Sequence, residues 1–120
     1  MKNYRKSGYV SVWVGNFTDE DEFDDYLLDH FGEDFGIDIE PAKIGEIGAE
    51  SSPVDIRTLV DGFSRSATFE DKCVEAASKK GIEQASCMFV AYDYEYPESQ
   101  QKNPNAQLTF IGALGYPGYQ

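Results

Sequence analysis

Residues 87–92 form an uninterrupted apolar run, Cys-Met-Phe-Val-Ala-Tyr. A strand with one face in water alternates apolar and polar side chains, whereas a strand covered on both faces is apolar throughout. This run therefore predicts a strand in the interior of a sheet. Any fold proposed for the chain must place packed elements on both sides of it.

Two more segments have strand character. Residues 9–14 read Tyr-Val-Ser-Val-Trp-Val, which is rich in β-branched and aromatic side chains and predicts a buried strand. Residues 107–114 form a third strand, joined to the strand at 87–92 by a polar connection at 97–105 that holds two prolines. We expect the last two strands to pair as an antiparallel hairpin.

The first helix is predicted over residues 19–31. Thr18 supplies a hydroxyl N-cap, carboxylates follow in the first turn, and Gly32 stands where a C-terminal cap would fall. Residues 33–52 are interrupted by glycines and by Pro41, so we expect a loop with one short strand there.

Two further helices are predicted before the strand at 87–92. One begins at Ser52-Pro53 and ends near Gly62, and the other begins at Thr68 and ends before Gly81. A chain of 120 residues has the size of one domain, and 41% hydrophobic residues can supply its core. We predict a single α+β domain over residues 1–120, with a mostly antiparallel sheet and about three helices packed on it.

The net charge limits the partners of the chain. There are 22 acidic and 10 basic residues, which gives a net charge of -12. Nucleic acid and anionic membranes would be repelled at long range, and neither is an expected partner. Residues 1–7 lack the apolar stretch of a secretion signal, and no apolar run has the length of a membrane span, so we expect a cytoplasmic protein.

Half of the acidic residues lie within residues 18–40, a segment without lysine or arginine. On the first helix, like charges three or four residues apart each cost about 0.2 to 0.5 kcal/mol. The acidic surface can serve solubility, or it can attract a strongly basic protein partner. The candidate partner-binding residues are Asp21, Glu22, Asp25, Asp29, Glu33 and Asp34, with a second acidic and aromatic patch at Asp93, Tyr94, Glu95 and Tyr96.

Few residues of the chain are suited to catalysis. His30 is the only histidine, placed near the inner side of the first helix, and Cys73 and Cys87 both lie within apolar patterns. None of the short cysteine and histidine pairs typical of zinc sites occurs, and phosphate-binding and nucleophile-elbow motifs are absent. We therefore expect no metal, no cofactor and no enzymatic activity. A small hydrolase that uses one cysteine with His30 stays open as an alternative.

Several short motifs, in this order, resemble the immunity protein 22 family of bacterial polymorphic toxin and contact-dependent growth inhibition systems. The most specific is Trp-Val-Gly-Asn-Phe at 13–17, which leads directly into an acidic helix. The others are Phe-Gly-Ile-Asp at 35–38, Leu-Val-Asp-Gly-Phe-Ser at 59–64, Tyr-Asp-Tyr-Glu-Tyr at 92–96 and Leu-Thr-Phe-Ile-Gly at 108–112.

The resemblance implies a small cytoplasmic α+β protein that protects the producing cell. It would bind the C-terminal domain of a cognate toxin and act by occlusion, without turnover. The acidic helix would then dock against the cationic groove of a nuclease-type toxin. Trp13, Gly15 and Phe17 are expected to fix the fold, with Gly15 permitting the turn into the helix.

One alternative function uses the same charge. An acidic regulatory protein could imitate nucleic acid and sequester a DNA- or RNA-binding protein. The sequence does not separate this hypothesis from the immunity function, although an immunity gene should follow a toxin gene. We expect a monomer or a weak homodimer in either case.

Overall fold

The computed structural model describes residues 5–17, 19–37, 45–63 and 66–115. Within these ranges the chain forms four strands and four α-helices. In chain order they are β1 (Arg5–Gly15), α1 (Glu20–Asp29), α2 (Phe31–Phe35), β2 (Gly45–Asp55), α3 (Ile56–Val60), α4 (Ser66–Lys79), β3 (Gln84–Tyr94) and β4 (Leu108–Gly115).

The four strands form one antiparallel sheet in the order β2-β3-β1-β4. The predicted α+β class is therefore confirmed. Residues 85–91 of β3 are all buried, so the apolar run at 87–92 does lie in the sheet interior. Trp13 of β1 is paired with Phe89 of β3 on one side and with Phe110 of β4 on the other.

The predicted hairpin between the last two strands is wrong. β1 lies between β3 and β4 and is antiparallel to both, so β3 and β4 run in the same direction and cannot form a hairpin. The connection leaves β3 at Tyr94, near the start of β1, passes over one face of β1, and enters β4 at Leu108, opposite Gly15 at the end of β1. The physical reason is that β1 is buried on both faces, with Val12 and Trp13 fully inaccessible to solvent. A strand of this kind needs a neighbour on each side as well as a layer above and below.

Helices cover both faces of the sheet. On one face Trp13 and Phe89 pack with Phe23 of α1 and with Phe31 and Phe35 of α2. On the other face the core joins side chains of the sheet with side chains of α3 and α4, among them Val12, Met88, Leu59, Phe69 and Cys73. Alternate side chains of the interior strands therefore reach two separate cores.

The boundaries of the first helix differ from the prediction. α1 has Asp19 as its N-cap, whose side chain accepts a hydrogen bond of 2.8 Å from the amide of Glu22. Thr18 lies outside the described residues. The chain continues into α2, and Gly36 forms the C-terminal cap of α2 with a φ of 67°. Gly32 is not a cap, but a Cβ there would lie 2.6 Å from the carbonyl oxygen of Ile37, so its position requires glycine.

The segment at 33–52, predicted as a loop with one short strand, holds the end of α2 and residues 45–52 of the long strand β2. β2 is an edge strand and most of its side chains are exposed, so it lacks the apolar pattern of a buried strand. Ser52 and Pro53, predicted to start a helix, lie within β2, and α3 begins only at Ile56. α4 begins at Ser66 and not at Thr68.

Gly15 has a different role from the predicted one. It is the last residue of β1, and a Cβ there would lie 2.7 Å from the side chain of Leu108 and 2.9 Å from the carbonyl oxygen of Gln107. Glycine at this position lets β4 approach β1, and no turn conformation is required of it. Trp13 and Phe17 are buried in the core, as expected.

Candidate partner-binding surface

One side of α1 packs against the sheet and the other side faces solvent. Its buried residues are Phe23, Tyr26 and Leu27, and the last two follow Phe23 by three and four residues, which places all three on one side of the helix. The ring of Phe17, at the exit of β1, lies 5.3 Å from the ring of Phe23 and 5.5 Å from that of Tyr26. These contacts fix the rotation of the helix and turn the remaining side chains outward.

The outward side of α1 carries the predicted carboxylates. Asp21, Asp25 and Asp29 are exposed and follow one another at four-residue spacing, so they form one row along the helix. Glu22, also exposed, lies beside this row. We refer to Asp21, Glu22, Asp25 and Asp29 as the acidic face.

An apolar side chain that sequence reasoning missed lies on the same side of the helix. Leu28 is 72% exposed. It follows Asp21 by seven residues and Asp25 by three, which places it on the outward side between carboxylates. The signal was present in the helical spacing, because a residue two turns after Asp21 lies on the same side of the helix as that carboxylate. A partner docked on the acidic face would also cover Leu28.

Three of the described cations pair with carboxylates outside α1. Arg57 binds Glu70 and Asp71, joining α3 to α4. Lys79 lies 3.9 Å from Glu75, and Lys80 pairs with Glu98. Among the residues that the structure describes, no ion pair involves Asp21, Asp25 or Asp29. The described cations therefore do not neutralise the row of carboxylates on α1 through ion pairs.

The two acidic candidates on α2 have different surroundings. Glu33 is exposed, whereas Asp34 is half-buried and engaged by the rest of the protein. The Asp34 carboxylate accepts hydrogen bonds of 2.6 Å from the Tyr26 hydroxyl and 3.1 Å from the Asn103 side chain. Its backbone carbonyl accepts from the amides of Lys102 and Asn103. Asp34 thus attaches the connection between β3 and β4 to α2.

Replacing Tyr26 with phenylalanine is expected to lower the free energy of unfolding at neutral pH by about 1 kcal/mol, because Asp34 loses a hydrogen-bond donor. Burial, and then the hydrogen bond and charge of Asp34, raise the pKa of Tyr26 above its ordinary 10.0. Above pH 10 the unfolded chain ionises at Tyr26 while the folded protein does not, so the wild type loses stability as the pH rises.

Urea unfolding of both proteins at neutral pH and near pH 11 measures the two effects. The advantage of the wild type over Tyr26→Phe should shrink at the higher pH, since only the wild type has this tyrosine to ionise. An advantage that stays the same at both values would contradict the burial of the Tyr26 hydroxyl against Asp34.

The second predicted patch faces inward in part. Tyr94 and Tyr96 are buried in the core beside Trp13, so their interpretation as exposed contact residues is wrong. The Tyr96 hydroxyl donates a 2.6 Å hydrogen bond to the carbonyl oxygen of Phe35. Asp93 and Glu95 are half-buried.

Asp93 has a local structural contact. It has a positive φ of 52°, and its carboxylate accepts a 3.3 Å hydrogen bond from the amide of Gly8. The side chain thus ties the end of β3 to the irregular part of β1, where the register shifts between Arg5 and Val10. Its assignment to the partner-binding surface stays a prediction, as does that of Glu95.

Comparison with known protein families shows the family of the chain. The family model described as immunity protein 22 matches residues 10–117. This chain belongs to the immunity protein 22 family. Membership in the family supports an immunity function and implies binding to a cognate toxin protein. A search of curated proteins and a search of solved structures found no match.

The possible catalytic groups of this chain do not form a nucleophilic pair. Cys73 lies on the buried side of α4, in the core on the other face of the sheet from Cys87. Burial raises the pKa of Cys73 to about 12 and also raises the pKa of Cys87, so both thiols are protonated at neutral pH. His30, expected near the inner side of the helix, is exposed. The geometry gives the hydrolase alternative no support.

Among the described residues, no group of three histidine, cysteine or acidic side chains is arranged to hold a metal ion. No helix within the described ranges is long and apolar enough to cross a membrane. The glycine- and tyrosine-rich segment at 115–119 is a further candidate contact from the sequence, and apart from Gly115 it lies outside the described residues.

Proposed function

We propose that this member of the immunity protein 22 family neutralises a basic, nuclease-type toxin by covering its active site, and that the acidic face of α1 makes the main contact. One observation supports this: Asp21, Asp25 and Asp29 form an exposed row, and none of the ion pairs among the described residues involves them. A nuclease holds phosphate in a cationic groove, and a row of carboxylates presents similar charge to such a groove.

The mechanism follows from charge and shape. Long-range attraction between opposite potentials accelerates encounter, and docking then excludes the nucleic acid from the groove. Leu28, in the middle of the contact, adds apolar area that becomes buried on docking. No bond is made or broken, so inhibition is stoichiometric. We further propose that this occurs in the cytoplasm of the producing cell, where the toxin would meet its substrate.

Co-expression with the toxin domain encoded by the gene immediately upstream tests the proposal. Growth should be rescued, a one-to-one complex should be recovered, and nuclease activity should fall in proportion to the immunity protein added. Absence of rescue would contradict the immunity function for that toxin. A complex that still cleaves nucleic acid would contradict occlusion while leaving binding intact.

The alternative, a nucleic-acid-mimicking regulator, depends on the same charge. The family assignment favours the immunity function over it. A regulator would bind a DNA- or RNA-binding protein encoded elsewhere and would not rescue cells from the neighbouring toxin. The co-expression experiment therefore separates the two functions.

A further inference from the structure

Among the described residues, β2 forms one edge of the sheet and pairs with β3 alone. Its first part is regular, in register from Gly45 opposite Ala91 to Ala49 opposite Cys87. The register then shifts before Val54, and Pro53 lies within the irregular part. An edge strand directs alternate backbone amide and carbonyl groups outward, where they can pair with another chain. Residues 45–49 are the part of β2 with the regular geometry for this.

A groove of about 470 Å³ runs beside this edge, between β2 and α3. Gly48 opens the groove, since a Cβ there would lie 2.9 Å from the ring of Phe63. Leu59 and Phe63 contribute apolar surface to the groove, and Glu46 and Glu50 contribute carboxylates. Glu46 is held by a 2.8 Å hydrogen bond from the Tyr92 hydroxyl. The groove therefore combines an apolar wall with negative charge at its rim.

We propose that the regular edge of β2 binds an extended basic segment of the toxin domain as an added strand, with one lysine or arginine of that segment in the groove. Main-chain hydrogen bonds supply affinity in this mode, and pockets for alternate side chains supply specificity. The methylene stem of a basic side chain packs on apolar surface while its charge stays near carboxylates. The assignment rests on the proposed function and adds a second contact to the acidic face.

Negative charge supports a basic strand as the occupant of this edge, and an exposed apolar side chain offers it a further contact. Glu50 is exposed at the rim, and the whole chain carries a net charge of -12, so a cationic segment is attracted and an acidic one is repelled. Ile47 is 41% exposed and, being opposite Phe89, points to the sheet face on which α1 packs. An added strand would therefore meet a carboxylate-rimmed groove on one face and an apolar side chain on the other.

Gly62→Trp tests the groove. Gly62 lines it, its φ lies outside the left-handed region, and a Cβ built there meets no atom within 4 Å, so a side chain can be added without backbone strain and the indole takes up space at the groove. Binding of the neighbouring toxin domain should weaken at least tenfold, as measured by calorimetry. Thr109→Trp is the matched control, because it adds the same ring at an exposed position on β4, the opposite edge strand. Its affinity should stay within twofold of the wild type.

Hydrogen exchange of the complex supplies the independent measurement. Backbone amides within residues 45–49 should exchange more slowly when the toxin domain is bound. If Gly62→Trp binds like the wild type and these amides show no protection, the added strand is wrong. The proposed function survives that result, because growth rescue and sensitivity to charge reversal on α1 do not depend on β2. If the wild type fails to bind at all, the proposed function itself fails, and the added strand fails with it.

Discussion

Trp13→Ala should lower the free energy of unfolding by about 3 to 5 kcal/mol, the usual cost of removing a fully buried aromatic side chain. Trp13 is wholly inaccessible to solvent in the middle of the sheet. Its ring lies 5.1 Å from the rings of both Phe31 and Phe110 and 5.4 Å from that of Phe89. Truncation therefore leaves a cavity where α2 packs on β3, β1 and β4. Urea unfolding followed by far-ultraviolet circular dichroism measures the loss.

Trp13→Phe is the informative control for this cavity. The indole nitrogen of Trp13 has no hydrogen-bond acceptor among the described residues, so replacement by phenylalanine leaves no acceptor unpaired. The cost should then come from lost volume alone and should be clearly smaller than that of the alanine variant. Equal losses in the two variants would show that Trp13 acts through something other than filling the core.

The parts of the fold that the sequence predicts well are those with a strong local pattern. The apolar run at 87–92 and the aromatic and β-branched run at 9–14 both lie in interior strands, because burial on both faces leaves no room for polar residues. The acidic helix is found for a similar reason, since Phe23 and Leu27 at four-residue spacing match the buried side of α1.

Strand pairing and the edge strand could not be read in the same way. A sequence pattern indicates that a strand is buried but does not indicate which strand lies beside it. The predicted pairing of β3 with β4 is therefore wrong, because β1 separates them. β2 is predicted only as one short strand within a loop, because an exposed edge strand has no core-facing alternation to preserve. Its glycines, typical of loops, have a packing role here, since a Cβ at Gly45 would lie 1.8 Å from the carbonyl oxygen of Val90.

In the candidate site, too, the features with a local sequence pattern could be predicted and those set by long-range contacts could not. Exposure of Asp21, Asp25 and Asp29 follows from helix periodicity alone, and the structure agrees. Asp34 is drawn inward by Tyr26 and Asn103, and Asn103 is 69 residues away in the chain. Contacts of that range have no local signal, so the partial withdrawal of Asp34 from the surface could not be predicted.

Replacing Asp21, Asp25 and Asp29 together by lysine should lower the association rate with the neighbouring toxin domain by roughly 10- to 100-fold and weaken its steep dependence on salt. Each reversal changes the charge by two units, and all three lie in one exposed row of α1. The fold should persist. Repulsion among three negative charges is replaced by repulsion among three positive charges. Lysine at 29 interacts favourably with the helix dipole, whereas lysine at 21 interacts unfavourably with it. Stopped-flow kinetics at several salt concentrations measures the rate.

The location of the charge is tested by a second triple variant, Asp71→Lys, Glu75→Lys and Glu83→Lys, at exposed positions on α4 and just before β3. It has the same net charge as the first variant, so any effect of total charge is equal in the two proteins. We expect a much smaller loss of association rate, because α4 covers the other face of the sheet from α1. Equal losses would mean that the toxin senses only the overall field of the protein. In that case capture would not depend on a docking site on α1, and the acidic face would be reduced to one contributor among many.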